Sequence, residues 1–253
     1  MSSSVSRTER LDYILQSIDK GRFVSLREVA ERFGVDIQTA RRDISHLAEQ
    51  SLVSKVHGGA VQHSEPDTLS VEERLAVNDN EKRLIAEAAA AMVDDGEVVF
   101  LDGGSTTTLM TPFLLGKRIH VVTNSLSIAG SLKRGWPDVE VILTGGCYYP
   151  KSELLLGPPA VQSIQNSRFN KAFLSAAGIT AEGIYNANVL VVELEQAVIA
   201  RANEKYLLAD SSKLGRTSLV RVCDLQDITT LLTAGDIPDF ISECSINCKV
   251  ADR

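Results

Sequence analysis

Several residue types that would settle the class of a protein are scarce in this chain. Its 253 residues include one tryptophan and four cysteines, and these cysteines lack the spacing of metal ligands: Cys147, Cys223, Cys244 and Cys248. No apolar run approaches the about 20 residues that a membrane span needs, and the Ser-rich N-terminus is unlike a signal peptide. We therefore expect a soluble, cytoplasmic protein with free thiols, no bound metal and no cofactor.

Positive charge is scarce as well. The chain has a net charge of −7, which by itself argues against a nucleic-acid-binding protein. The acidity is uneven, because residues 1–61 contain nine Lys and Arg against eight Asp and Glu, a net of +1. If this segment binds DNA, one copy has too few phosphate contacts, and further copies on repeated half-sites would supply them. A homo-oligomer, either a dimer or a tetramer, is therefore expected.

Residues 1–61 have the apolar spacing of three helices. Ser25 is placed to cap the second helix, with Glu28 completing a capping box, and Gly34 ends that helix. Asp36 then caps the third helix. The turn at residues 34–36 has the length and the glycine of a helix-turn-helix, so the third helix is in the position of a recognition helix.

The third helix, residues 36–47, has two chemically different faces. At about 100° per residue, its apolar residues gather on one side: Ile37, Ala40, Ile44, Leu47 and Ala48. Polar residues lie opposite or on the flanks: Gln38, Thr39, Arg41, Arg42, Asp43 and His46. These groups suit base edges and phosphates in a major groove. We expect Gln38, Thr39 and Arg42 to contact bases, and Arg41 to contact the DNA backbone.

A short β-wing is predicted after the third helix. Residues 52–57 alternate like a strand, and Gly58-Gly59 forms a turn before a return strand. Lys55 and His57 are available for phosphate, and Ser25 and Gly58 complete the candidate DNA-binding residues. The alternative is a small helical domain that makes protein contacts.

A second domain of the α/β class is predicted at residues 81–253, after a polar linker at 62–80. Apolar segments typical of buried parallel strands recur along it, at 98–101, 119–122, 139–143, 171–174 and 206–209. Helical segments lie between them, near 106–115, 125–133, 158–165 and 191–203. This alternation predicts a mostly parallel sheet.

The residues that follow these strands are rich in Gly, Ser, Thr and Asn. Ligands of open α/β sheets bind beyond the carboxyl ends of the strands, and glycines followed by a helix N-terminus suit an anion. We therefore predict a site for a phosphorylated polyol, with these candidate contacts: Asp102, Gly103, Gly104, Ser105, Thr106, Thr107, Asn124, Ser125, Gly145, Gly146 and Lys213. The glycine run lacks the Lys of a Walker A loop and the spacing of a Rossmann fingerprint.

These motifs resemble those of the DeoR family of bacterial transcriptional repressors along nearly the whole chain. The matching segments are Thr39 to Asp43, His57-Gly58-Gly59-Ala60, Asp102 to Thr106, Thr123-Asn124-Ser125, Gly145-Gly146 and Asp210 to Lys213 with Gly215. The chain departs from the family pattern at Asp36, where serine is commoner, and at Ala40, where Ile or Val is commoner. It also has Ala176-Ala177 where many members have an aspartate before the glycine.

The resemblance implies a winged helix-turn-helix followed by a domain similar to ribose-5-phosphate isomerase. It also implies a sugar-phosphate effector, with contacts at Asp102, Gly104, Ser105, Thr106, Asn124 and Lys213. We therefore expect a repressor of a carbohydrate-utilisation operon, which leaves double-stranded operator DNA when a phosphorylated sugar or sugar alcohol binds.

An enzyme is the main alternative. A sugar-phosphate isomerase or lyase needs a carboxylate base near its substrate. Asp102 or Glu193 could be that base, and Lys213 could stabilise an enediolate. A DNA-binding domain has no use on such an enzyme, so we favour the repressor. A scaffold, the third alternative, would not need the hydroxyl-rich strand ends.

Overall fold

The computed structural model describes residues 7–19, 24–49, 52–56, 58–62, 71–135, 137–244 and 246–251. The chain divides into two units, Met1–Asp79 and Asn80–Arg253, called here the N-terminal and C-terminal units. Among the described residues, no helix is long and apolar enough to cross a membrane. The same residues contain no group of three or more His, Cys, Asp or Glu side chains that could hold a metal ion.

The N-terminal unit is a winged helix-turn-helix, as the sequence predicted. Its elements are α1 (Arg7–Asp19), β1 (Val24–Ser25), α2 (Leu26–Phe33), α3 (Ile37–Glu49), β2 (Val53–Val56) and β3 (Gly59–Gln62). Strand β3 pairs antiparallel with both β1 and β2. The Ser25 side chain accepts a hydrogen bond from the Glu28 backbone N–H and so caps α2. A helix, α4 (Val71–Ala76), lies within the segment predicted as a linker.

The core of this unit combines apolar residues that the helical spacing selected with residues of the strands. Side chains from all three helices and the wing are buried together: Ile14, Ile18, Val24, Val29, Ala40, Ile44, Leu47, Val53 and Ala60. Ile37, predicted on the apolar face of α3, is instead 51% exposed. It is the first residue of α3.

The C-terminal unit alternates helices and strands. Its helices are α5 (Asp79–Ala90), α6 (Ser105–Thr108), α7 (Thr111–Leu114), α8 (Leu126–Leu132), α9 (Pro158–Gln165), α10 (Val189–Ile199) and α11 (Asp239–Glu243). Its strands are β4 (Val98–Leu101), β5 (Ile119–Thr123), β6 (Val139–Leu143), β7 (Cys147–Tyr149), β8 (Leu154–Leu156), β9 (Phe169–Leu174), β10 (Gly178–Thr180), β11 (Gly183–Asn186), β12 (Ala202–Leu208), β13 (Val220–Cys223), β14 (Thr230–Thr233) and β15 (Cys248–Val250).

A seven-stranded sheet in the order β15-β14-β12-β9-β4-β5-β6 forms the centre of the unit. Each neighbouring pair in it is parallel, which confirms the predicted sheet type. From β4 the sheet extends in one direction through β5 and β6. In the other direction it extends through β9, β12, β14 and β15. The strand order therefore reverses between β4 and β9, and such a switch point leaves a crevice at the carboxyl ends of the strands.

Both faces of this sheet are buried. Successive side chains of a strand point to opposite faces. Accordingly, Val99 and Leu101 of β4 belong to one apolar cluster together with α5 and α8, whereas Phe100 belongs to a second cluster together with α9 and α10. This arrangement explains the uninterrupted apolar strands of the sequence.

The structure corrects the sequence prediction at several elements. The helix expected near 106–115 is divided into two short helices, α6 and α7, and the helix expected to reach residue 203 ends at Ile199. Strands β14 and β15, the small antiparallel sheet β10-β11-β13 and the hairpin β7-β8 were not predicted. All of these strands have only three or four residues, too few to show a clear periodicity.

The backbone conformation at the end of α2 can be tested by substitution of Gly34. Gly34 has φ 61° and ψ 35°, in the left-handed region, and its N–H bonds to the Ala30 carbonyl. A Cβ there would meet no atom within 4 Å, so Gly34→Ala should cost only backbone strain. We expect a loss of about 1–2 kcal/mol in the free energy of unfolding, measured by urea unfolding of the full chain. Gly34→Asn, which tolerates this conformation, should lose less; an equal loss would contradict the explanation.

Candidate functional site

The exposed face of α3 carries the residues predicted to contact DNA. Gln38, Arg41 and Arg42 are exposed, and Thr39 is half-buried. Asp36 holds the start of the helix, because its carboxylate accepts a hydrogen bond of 2.7 Å from the Thr39 backbone N–H. That bond, followed by smaller contributions that include the charge of Arg42, lowers the pKa of Asp36. The first turn of α3 is thus fixed in place while its polar side chains remain accessible.

A buried ion pair that the sequence did not predict joins α3 to α1. Asp43 was expected on a flank of α3, yet it is only 2% exposed. One of its carboxylate oxygens accepts a hydrogen bond of 2.7 Å from Arg10, and the other accepts one of 3.3 Å from Arg7. Asp43, the last residue of the Arg41-Arg42-Asp43 sequence, therefore has a structural role, because it joins the recognition helix α3 to α1.

The other predicted DNA contacts are distributed over the unit. Lys55 on β2 and Gly58 at the turn of the wing are exposed, whereas His46 and Ser25 are half-buried. The Gly58 carbonyl accepts a hydrogen bond of 2.7 Å from the Leu26 backbone N–H, which joins the wing to the start of α2. His57 lies outside the described residues.

In the C-terminal unit, Asp102 lies at the switch point of the sheet. It follows β4 directly and is 1% exposed. Its Oδ2 accepts hydrogen bonds from the backbone N–H and from the hydroxyl of Ser175, which follows the neighbouring strand β9. The side chain of Asp102 therefore joins the two strands between which the strand order reverses. Ser175 was noticed in sequence only as part of a strand end.

The glycines after Asp102 are required by packing within the chain. A Cβ on Gly103 would lie 1.9 Å from Cδ2 of Leu154, and one on Gly104 would lie 2.5 Å from Cβ of Ser175. The Thr107 hydroxyl accepts a hydrogen bond from the Gly104 N–H and donates to backbone oxygens of the same turn. Helix α6 has only four residues, so its dipole gives little support to the anion site predicted there. Ser105 and Thr106 are buried beside this turn.

Asn124, directly after β5, has a buried side-chain amide that makes no hydrogen bond within the described part of the chain. The residue is 0% exposed, and neither Oδ1 nor Nδ2 forms a hydrogen bond with any residue that the structure describes. Leaving such a group unsatisfied costs about 1–3 kcal/mol, and an unsatisfied group in a native structure calls for a ligand, an ion or a water molecule. Its neighbour Ser125 is engaged locally, because its hydroxyl accepts a hydrogen bond from the Ile128 N–H and caps α8.

The hairpin β7-β8 covers the carboxyl ends of β4 and β5. The Leu155 N–H donates to the Asn124 carbonyl at 2.8 Å, and Leu154 contacts Gly103. Gly145 and Gly146, at φ 71° and 116°, form the turn that leads from β6 into this hairpin. Gly145 and Gly146, both predicted as site residues, therefore position the β7-β8 hairpin over the ends of these strands.

Charged residues that the sequence did not indicate surround the end of β12. Lys82 of α5 is 3% exposed, and its ammonium group lies 3.9 Å from the Asp210 carboxylate. Glu81 accepts hydrogen bonds from the backbone N–H and the hydroxyl of Ser211. Lys213, the predicted phosphate contact, is half-buried in the short 3-10 helix that follows. Lys82 and Glu81 belong to α5, where no sequence motif marks them. Only the folded chain shows that they lie near the end of β12.

A second buried acid lies on α10. Glu195 is 1% exposed, and its Oε1 accepts a hydrogen bond of 2.9 Å from Nδ2 of Asn186. Burial, and then the negative charge of Asp102, raise the pKa of Glu195 well above its usual value, which favours the neutral acid. Glu193, considered as a base in the enzyme alternative, lies instead on the exposed face of the same helix.

These two units define a class of protein. A winged helix-turn-helix with a polar recognition face, in one chain with a parallel α/β unit, is the architecture of a transcriptional regulator with a separate sensor domain. The chain matches the DeoR-like helix-turn-helix domain over residues 10–65 and the DeoR C terminal sensor domain over residues 77–234. It therefore belongs to the DeoR family of DNA-binding transcriptional regulators.

Named relatives align along almost their entire length. The chain is 32% identical to the L-fucose operon activator of Haemophilus influenzae, over 92% of this chain and 94% of that protein. It is 29% identical to the lactose phosphotransferase system repressor of Staphylococcus epidermidis, over 90% and 92%. Among solved structures, ribose 5-phosphate isomerase A of Methanocaldococcus jannaschii matches 54% of this chain and 55% of that chain at 19% identity, with a TM-score of 0.40. That similarity is too remote to bear on activity.

The Asp43 ion pair gives a first prediction for this site. Asp43→Asn removes the negative charge that pairs with the nearly buried Arg10 guanidinium, whose side chain is 9% exposed. We expect a loss of about 3 kcal/mol in the free energy of unfolding, measured by urea unfolding. Glu31→Gln removes one partner of the exposed Arg27–Glu31 pair and is the matched control, with little change expected. Equal effects of the two substitutions would show that burial of the Asp43 pair has no special role.

The packing of Gly104 gives a second prediction. Gly104→Ala places a methyl group against Ser175 and should destabilise the chain by about 1–3 kcal/mol. Gly130→Ala, in α8 with no atom within 4 Å of the new Cβ, should leave stability unchanged or raise it. Thermal unfolding of both variants measures the difference. A fully stable Gly104→Ala protein would contradict the close contact between the ends of β4 and β9.

Proposed function

We propose that this protein represses a carbohydrate-utilisation operon and that a phosphorylated sugar or sugar alcohol releases it from DNA. The effector would bind at the carboxyl ends of β4, β5 and β9. The observation that carries this proposal is the buried amide of Asn124 beside the switch point, which makes no hydrogen bond within the described residues. The names of the relatives, which refer to L-fucose and lactose systems, support a carbohydrate as the signal.

The polar groups at this edge suit the two parts of such a ligand. The amide of Asn124 and the hydroxyls of Ser105 and Thr106 can exchange hydrogen bonds with sugar hydroxyls. The ammonium groups of Lys82 and Lys213, near the end of β12, supply positive charge for the phosphate. Gly103 and Gly104 contribute indirectly, because their missing side chains allow Leu154 and Ser175 to pack against the turn.

Effector binding needs a structural change, because two of the proposed contacts, Asp102 and Asn124, are closed to solvent. Asp102 and Asn124 are at most 1% exposed beneath the β7-β8 hairpin. A ligand that enters must displace the hairpin or a neighbouring loop, so it binds the displaced arrangement better than the closed one. Only such a difference in affinity can shift an equilibrium between two states. We propose that this shift lowers the affinity of the N-terminal unit for its operator.

Two further properties belong to the same proposal. The protein acts in the cytoplasm as a homo-oligomer, a dimer or a tetramer, because a DNA-binding segment with a net charge of only +1 needs several copies to hold DNA. It binds the sugar phosphate without converting it. Turnover of aldose or ketose phosphates at ordinary enzymatic rates by the purified protein would instead support the isomerase-like alternative.

Separation of the two activities is the test. A duplex selected from a random DNA library serves as the operator, and thermal shift against phosphorylated sugars and sugar alcohols identifies the effector. Arg42→Ala should weaken operator binding about tenfold or more and leave the effector shift unchanged, because Arg42 is exposed on α3. Asp102→Asn should weaken effector binding while operator binding survives, giving a protein that the effector no longer releases.

Arg134→Ala, at an exposed position of the C-terminal unit, is the control and should change neither activity. If Arg42→Ala or Asp102→Asn removed both activities from a folded protein, the separation into two functions would be wrong. If the effector strengthened operator binding, the proposed release from DNA by the effector would be wrong.

A further inference from the structure

Glu195 is a buried carboxyl group that the described residues do not fully satisfy with hydrogen bonds. Its Oε1 accepts the hydrogen bond from Asn186, whereas its Oε2 is buried and makes no hydrogen bond to any of the described residues. A carboxyl group that served only to join α10 to β11 would have both oxygens engaged, because an unsatisfied buried oxygen costs stability. Oε2 is therefore available for a ligand.

The position of Glu195 connects it with the proposed effector site. After burial, the negative charge of Asp102 is the next cause of the raised pKa of Glu195. Val191, one turn earlier on α10, packs against Leu154 and Leu156 of the β7-β8 hairpin. The same hairpin bonds to the Asn124 backbone. Helix α10 and the loop that carries Asn124 thus lie beneath one cover, and both have unsatisfied buried polar atoms.

The chemistry of these groups excludes an anion as their partner. A phosphate on the effector would face the Asp102 carboxylate and a second carboxyl group. A neutral hydroxyl has no such repulsion, and it can donate to one oxygen and accept from a neighbouring amide or acid proton. The positive charges of Lys82 and Lys213, in contrast, are near the end of β12, on the other side of β9 from β4.

We propose that Glu195 is a specificity-determining residue of the effector site, whose Oε2 binds a hydroxyl group of the sugar or polyol, so that this end of the effector lies against α10 and its phosphate lies toward β12. This inference rests on the proposed function, since it names the part of the effector that Glu195 contacts. It requires an effector with at least one hydroxyl group remote from the phosphate.

The first part of the test uses the protein without ligand. Glu195→Met removes the unsatisfied oxygen, and the half-buried Asn186 can turn to water. The melting temperature of the variant should equal or exceed that of the wild type. A purely structural role for Glu195 predicts a lower melting temperature, because the Asn186 bond is lost. Glu195→Gln, which retains the oxygen that Asn186 contacts, provides a second variant if the methionine chain fails to fold.

The second part measures binding of glucose 6-phosphate, fructose 6-phosphate, ribose 5-phosphate and sorbitol 6-phosphate at about 10 mM. For the compound that binds the wild type best, Glu195→Met should raise Kd about tenfold or more. Glu195→Gln should retain affinity within about threefold, since a neutral amide provides a donor as the protonated acid does. Gln196→Met is the control. Gln196 follows Glu195 on α10 at an exposed position, so this variant should bind the compound like the wild type.

Deoxy analogues of that compound locate the contact. Removal of the relevant hydroxyl should weaken binding to the wild type about tenfold and have little effect on Glu195→Met, because that variant has already lost the contact. Equal losses in both proteins for every deoxy analogue, or unchanged affinity of Glu195→Met, would overturn the role of Glu195. Failure of all four phosphates to bind even the wild type would instead overturn the proposed function, and this inference with it.

Discussion

The proposed effector site depends on the parallel pairing of β4 with β9. The pairing aligns the carboxyl ends of two strands that are far apart in sequence, and it places Asp102 beside Ser175. All other candidate contacts are arranged around this pair: Asn124 follows the adjacent strand, Glu195 lies within reach of the Asp102 charge, and the β7-β8 hairpin covers the ends of the strands. The strand order therefore decides which polar and acidic side chains meet at the proposed site.

The same strand order gives the glycine-rich turn a packing role that its sequence did not indicate. Glycines before a helix are typical of anion-binding loops. Here Gly103 and Gly104 are in contact with Leu154 and Ser175, and the helix that follows is a single turn. The turn thus also has a packing role, because it brings β9 and the hairpin close to Asp102.

The N-terminal unit shows how far local patterns predict structure. The helices, their caps and the wing agree with the sequence because short-range spacing and capping dictate them, as at Ser25 and Asp36. The sequence did not predict the burial of Asp43. Its partners, Arg7 and Arg10, belong to another helix, and the periodicity of one helix gives no information about contacts with another. In the C-terminal unit the long apolar strands were likewise predicted, whereas short strands such as β7 and β14 were not.

The amino-acid sequence by itself determined the class of each unit, the recognition face of α3 and the polar strand ends, because these depend on periodicity and on the residue types within one segment. Only the tertiary structure decided which strand ends meet, that Lys82 and Glu195 lie near them, and that Asn124 is buried with an unsatisfied amide. Those features depend on strand order and on contacts between distant helices. These contacts join residues that are far apart in sequence, so the residue types within one segment do not indicate them.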